Sequence, residues 1–177
     1  MTSETALPDA DGLSKVGRMF AKVLVANRGE IAVRAFRAAY ELGSRTVAVF
    51  PHEDRGSEHR LKADEAYEIG ERGHPVRAYL DPQAVVDAAV HAGAEAVYPG
   101  YGFLSENPAF VEACAENDLV FVGPSADTMA RMGDKVQAKA EMRAADVPVV
   151  PGTEGATTLD DSEAAAEEAG YPVLLKA

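Results

Sequence analysis

Short apolar runs recur along this chain, and a segment with helical periodicity separates most of them. Lys22-Val-Leu-Val-Ala26, Thr46-Val-Ala-Val-Phe50, Ala96-Val-Tyr98 and Leu119-Val-Phe-Val122 are each too short for a buried helix and are rich in β-branched residues. Such runs read as strands buried on both faces. Between the first two, Glu30 to Leu42 places Ile31, Ala35, Ala38, Ala39 and Leu42 on one helical face, with Gly43 as the stop. Asp81-Pro82 starts a helix, with Asp as N-cap and Pro at the first helical position; it runs to about His91 and stops at Gly93. Pro108 opens another that ends near Asn117. Ala66-Tyr-Glu-Ile69 is a candidate third strand. Strands alternating with helices require an α/β fold with a mainly parallel sheet and right-handed crossovers.

Residues 1–19 are polar and aperiodic and are expected to be a disordered tail. A first domain is expected over 20–134 and a second from 135 to 177. At the junction, helices are expected from Ser125 to about Met132 and from Asp134 to about Ala145. Asp160 to Ala169 reads as a further helix, with Asp160 and Glu163 as a candidate capping box. Pro172 to Lys176 reads as a last strand.

Charge narrows the function. The formal net charge is -12, and a surface of that sign repels phosphate backbones, which disfavours nucleic-acid binding. No apolar run is long enough to span a bilayer. Residues 1–13 contain neither Lys nor Arg, so no secretory leader is read there and a cytoplasmic location is expected. The one cysteine, Cys114, lies on an apolar helical stripe and reads as a small core residue. The four histidines show no metal-ligand spacing, and no metal site is expected within the chain.

Four features point to a ligand, each with a bland alternative. The first strand-to-helix turn, Asn27-Arg-Gly-Glu30, holds one glycine where the dinucleotide fingerprint needs three, so it reads as a tight turn and Arg28 is expected to have no direct role in nucleotide binding. Pro99-Gly-Tyr-Gly-Phe-Leu-Ser-Glu106 follows a strand, where open α/β sheets bind ligands; its glycines let backbone approach a ligand, or its aromatics pack on the core. Lys135 falls in the first turn of a helix capped by Asp134, against the helix dipole, and is either a solvated cation or an anion ligand. Lys176 ends an apolar strand, where an unpaired cation is unusual and invites an anionic partner.

Taken together, Val23-Leu-Val-Ala-Asn-Arg-Gly-Glu-Ile-Ala32, Tyr98-Pro-Gly-Tyr-Gly-Phe-Leu-Ser-Glu-Asn107, Phe121-Val-Gly-Pro124, Arg131-Met-Gly-Asp-Lys135 and Gly170-Tyr-Pro-Val-Leu-Leu-Lys-Ala177 closely resemble the biotin carboxylase family, in its order and spacing. The stretch Glu53 to Glu65 resembles the pyruvate carboxylases more than the acyl-CoA carboxylases. The resemblance implies a Rossmann-like pre-ATP-grasp domain followed by the start of an ATP-grasp domain. It implies ATP- and bicarbonate-dependent carboxylation of biotin on a carrier domain, then transfer to pyruvate to give oxaloacetate. It matches Lys135 and Lys176 to ATP-contacting lysines, and Tyr101 and Gly102 to the loop lining the biotin pocket. Arg37, Glu41 and Phe103 match subunit-interface positions of a homo-oligomer. The lid, the Mg2+ ligands, the bicarbonate-holding lysine and the catalytic arginine are expected after Lys176, so no catalytic residue is expected within this chain, which alone is expected to be inactive. The alternatives are an acyl-CoA carboxylase subunit and a non-catalytic chain retaining the dimerisation surface.

Overall fold

A computed structural model describes residues 20–150 and 158–174. Five parallel strands form one sheet: β1 (Lys22–Val25), β2 (Arg45–Phe50), β3 (Glu65–Glu68), β4 (Ala96–Tyr98) and β5 (Val120–Phe121). Their order across the sheet is β3-β2-β1-β4-β5. β1 is central, with Leu24 beside Val47 on one side and Val97 on the other. The apolar runs form these strands because both faces are covered: Leu24, Val47, Val49 and Val97 pack into one cluster, Val25 and Ala48 into another. A fully buried valine or leucine contributes about 1.5–3 kcal/mol relative to exposure, so two-sided burial is what selects such runs.

The helices of this unit are α1 (Gly29–Glu41), α2 (Glu58–Lys62), α3 (Pro75–Tyr79), α4 (Pro82–Ala92) and α5 (Pro108–Glu116). Ala32 and Phe36 of α1 fill the smaller cluster. Residues of α3, α4 and α5, including Tyr79, Val85, Val86, Phe110 and Cys114, fill the larger. Asp81 caps α4 by accepting from the N–H groups of Gln83 and Ala84, and Gly93 ends it in the left-handed conformation. Cys114 is buried, and burial pushes its thiol up to about 11.

The structure departs from the sequence reading at short elements. The polar stretch after β2 contains a 3-10 turn at His52–Asp54 and α2, and α3 follows β3; none was expected. Each is too short to show a helical period. The strand expected over Leu119 to Val122 narrows to Val120–Phe121, an edge strand paired only with β4 and entered through Asp118 at φ 56°.

Among the described residues, those from 20 to 126 form one compact unit and those from 127 onward another. The second contains most of α6 (Ala126–Gly133), with α7 (Lys135–Ala144) and α8 (Leu159–Ala169). Within it, Arg131 bonds both Glu141 oxygens, Nε to Oε1 at 2.8 Å and Nη2 to Oε2 at 2.7 Å. The capping box of α8 is Thr158 with Asp161 rather than Asp160 with Glu163. Thr158 has the extended backbone of a cap, whereas Asp160 is already inside the first turn. Pro172 to Leu174 are not in a strand, and the remainder of the expected last strand lies outside the described residues, as does the 1–19 tail. Among the described residues no helix is long and apolar enough to cross a membrane.

Candidate functional site

The connection leaving β1 and the connection leaving β4 open side by side, because these strands are neighbours. The chain runs from β1 out to β2 on one side of it, and returns to β4 on the other. This is the switch point of a doubly wound sheet, where two loops diverge and leave a crevice at the carboxyl ends of the strands.

Asn27 ties the two loops together. It is fully buried. Its Nδ2 donates to the carbonyls of Pro99, at 2.8 Å, and Tyr101, at 2.9 Å. Its Oδ1 accepts from the Arg28 N–H at 2.9 Å. A buried amide is tolerated because its donors and acceptor are all used. Gly100 sits under this amide at φ 68°, and a Cβ there would lie 2.7 Å from Ile31 Cγ2 and 3.0 Å from Asn27 Nδ2. Gly102, at φ 73°, has open space where its Cβ would be. Tyr101 between them is exposed, and its hydroxyl donates to Glu30 Oε1 at 2.7 Å, which holds the phenol above its ordinary pKa.

Phe103 continues the loop with φ 46°, a left-handed conformation in a bulky residue. Its ring stacks on Tyr79 with centroids 5.0 Å apart and planes at 19°. The Arg28 guanidinium lies 5.8 Å from the Tyr79 ring centre and 6.0 Å from that of Phe103. Tyr79 is buried and donates from its hydroxyl to Asp54 Oδ2 at 2.8 Å; Arg28 Nη1 approaches the same oxygen at 3.5 Å. Burial, and after it the bond to Asp54, push the Tyr79 phenol far above its ordinary pKa, so it is a fixed donor.

Behind Tyr79 lies His59, also buried. Its Nε2 is 3.2 Å from the Val49 carbonyl and 3.4 Å from the Tyr79 hydroxyl, and its Nδ1 is 2.9 Å from Ser57 Oγ. A carbonyl only accepts, so Nε2 carries the proton. Burial holds His59 below its ordinary pKa and keeps it neutral.

The structure therefore brings Tyr101, Gly102 and Phe103 together with Asn27, Arg28 and Glu30 around a cavity of about 440 Å³. Arg37 and Glu41 are placed on α1, where they form an exposed ion pair at 3.0 Å. Lys135 is the first residue of α7, whose cap Asp134 accepts from the N–H groups of Val136 and Gln137. Lys176 lies outside the described residues. Reading the sequence did not find Asn27, Asp54, His59 or Tyr79. Only Asn27 left a signal, as an amide directly following an apolar strand. Among the described residues no group of His, Cys, Asp and Glu could hold a metal ion.

Comparison with known proteins agrees with this architecture. The model of the biotin carboxylase N-terminal domain matches residues 19–129, and the model of the ATP-binding domain of the carbamoyl-phosphate synthase L chain matches residues 134–177. A pyruvate carboxylase of Bacillus subtilis is 51% identical over 157 residues, covering 88% of this chain and 14% of that protein. The biotin carboxylase domain of a thermophilic 2-oxoglutarate carboxylase, solved bound to bicarbonate, superposes with a TM-score of 0.81 at 48% identity, covering 90% of this chain and 36% of that one. The corresponding domain dimer from Hydrogenobacter thermophilus, in complex with MgADP, ADP and bicarbonate, gives 0.80 at 46% identity, covering 88% and 34%.

Proposed function

This chain belongs to the biotin carboxylase family, and from that premise we propose that it forms the entry part of an enzyme that carboxylates biotin at the expense of ATP, using bicarbonate. The carrying observation is the two-loop crevice tied by Asn27, with an exposed phenol and a left-handed glycine on its rim. That rim suits the ring end of biotin delivered on a carrier domain. Gly102 leaves backbone open to a ligand, and Tyr101 is held in place by Glu30. Biotin, when bound, supplies the nitrogen that accepts the carboxyl group; the residues here orient it and shield one side from water.

ATP is assigned to the segment from residue 134 onward, where the ATP-binding domain model matches. Lys135 and Lys176 are the nucleotide ligands, and the Asp134 cap sets Lys135 at the head of α7. Mg2+ is assigned to groups outside the described residues. The final acceptor is a 2-oxo acid. The Bacillus relative is a pyruvate carboxylase, the two superposed domains come from 2-oxoglutarate carboxylases, and the Glu53–Glu65 stretch favours pyruvate over an acyl-CoA. The assembly is a homodimer in which α1 lies at the interface. Beside the Arg37–Glu41 pair, α1 exposes Tyr40 at 80% and is followed by Leu42 at 55%, apolar surface that a partner copy would cover.

Calorimetric titration of the complete carboxylase with ATP tests the reading. A charged hydrogen bond to phosphate contributes about 1.5–3 kcal/mol, so Lys176→Gln is expected to weaken ATP binding roughly tenfold or more. An isotherm unchanged by both Lys135→Gln and Lys176→Gln would overturn it. Sedimentation of Arg37→Glu tests the assembly: weaker dimers are expected, and unchanged sedimentation returns the pair to a solvated surface bridge.

A further inference from the structure

The glycine loop does not hold its own shape. Phe103 adopts a backbone conformation that bulky side chains avoid, and such a residue persists only where its surroundings over-determine it. What surrounds it is Tyr79, from a different connection of the sheet. We propose that Tyr79 is the positioning residue of this loop: locked from behind by Asp54 and His59, it presents a fixed ring on which Phe103 stacks, and so sets Tyr101 and Gly102 at the rim of the crevice.

Three observations carry this. Tyr79 is 1% exposed, yet its hydroxyl is directed at an acceptor, Asp54 Oδ2, and not left against apolar neighbours. His59, also 1% exposed, closes the other side of the hydroxyl and is anchored through Nε2 at the Val49 carbonyl, with Nδ1 packed beside Ser57 Oγ. Arg28 lies over both rings and reaches the same Asp54 oxygen. The tyrosine is thus held at its hydroxyl and by both of its aromatic and cationic neighbours. The connection after β2 supplies Asp54 and His59, the connection after β3 supplies Tyr79, and the connection after β1 supplies Arg28. All three converge on one side of the loop after β4. Asn27 fixes the start of that loop by its backbone; Tyr79 fixes its far end by a ring. Gly102, with nothing near its Cβ position, lies between these fixed points and is free to face a ligand.

The inference rests on the reading of Tyr101 and Gly102 as the biotin-facing rim, and its test separates the two. In the complete carboxylase, Tyr79→Phe keeps the ring and Tyr79→Leu removes it. Hydrogen–deuterium exchange over residues 99–106 reads the loop directly; initial rates against free biotin and against ATP read its use. Loss of one aromatic stack corresponds to roughly three- to tenfold, so Tyr79→Leu is expected to raise the KM for biotin by that factor. The KM for ATP should stay near the parent value, and exchange in 99–106 should increase. Tyr79→Phe keeps the ring but loses the hydroxyl lock to Asp54, so both readouts should fall between those of the parent and of Tyr79→Leu. A purely structural tyrosine would lower kcat and stability without splitting the two KM values. Should Tyr79→Leu not fold, Phe103→Leu removes the same stack from its half-exposed side and is expected to loosen the same peptide. Unchanged exchange in 99–106 in the ring-removing variants overturns the positioning role. A loop that loosens without any change in biotin saturation leaves that role standing and overturns the biotin assignment of the rim.

Discussion

Gly100 and Gly102 are two residues apart, both left-handed, and ask different things of a side chain. At Gly102 an added methyl meets nothing, so Gly102→Ala carries only the conformational penalty, about 1–2 kcal/mol. At Gly100 the same methyl meets Ile31 and the Asn27 amide, and overpacking adds roughly 1–3 kcal/mol more. Urea denaturation of the two variants should therefore rank them, with Gly100→Ala clearly the less stable. Asn27→Ala should cost about 1–3 kcal/mol for each carbonyl left without a donor, and it should loosen the 99–106 loop as well. These residues show where reading the sequence stopped. The glycines were legible as permissive backbone, and Tyr101 as their neighbour. Asn27 was not, because its partners are 72 and 74 residues away along the chain, and no local pattern encodes such a bond.

Among the elements, α4 and α7 were read closely from their caps Asp81 and Asp134, whereas the cap of α8 was misplaced by two residues. Asp81, Pro82 and Gly93 bracket α4 in the structure as they do in the sequence. Asp81→Ala should cost about 1 kcal/mol, the usual worth of an N-cap side chain, and thermal melts should show it. Gln83→Ala, two residues on and exposed, loses only a surface bond to Asp87, so it serves as the reference and should change little. The short elements escaped for a physical reason. α2 and α3 have five residues each, less than two turns, so their apolar residues cannot repeat. Pro75 at the start of α3 was the available signal. That these two stretches are helical matters for the site, since α2 carries His59 and α3 carries Tyr79.

For the molecule as a whole, the strand–helix alternation was sufficient to give the parallel sheet, while the tertiary meeting of three connections behind the glycine loop was not in any local pattern. That meeting makes stability depend on pH through His59. Burial holds its folded pKa below the ordinary 6.5, so the unfolded chain takes up the proton first. The contribution of neutral His59 is fully present above 6.5 and declines as pH falls from there toward the folded value. Asp64, held low chiefly by hydrogen bonds from Thr46, begins to withdraw its contribution only below its ordinary 3.8. Melting temperatures followed from pH 7.5 down to 5 should therefore fall, and His59→Gln should flatten that slope. The sheet order has a consequence in time as well. β1 is made first among the strands and ends up central, but its second neighbour, β4, starts at Ala96. At a synthesis rate of roughly 5–20 residues per second, the ribosome needs about 4–15 seconds to bridge that interval. Throughout it β1, apolar from Val23 to Val25 and bound for the middle of the sheet, lacks the partner for one edge, and a nascent chain in that state is expected to engage chaperones.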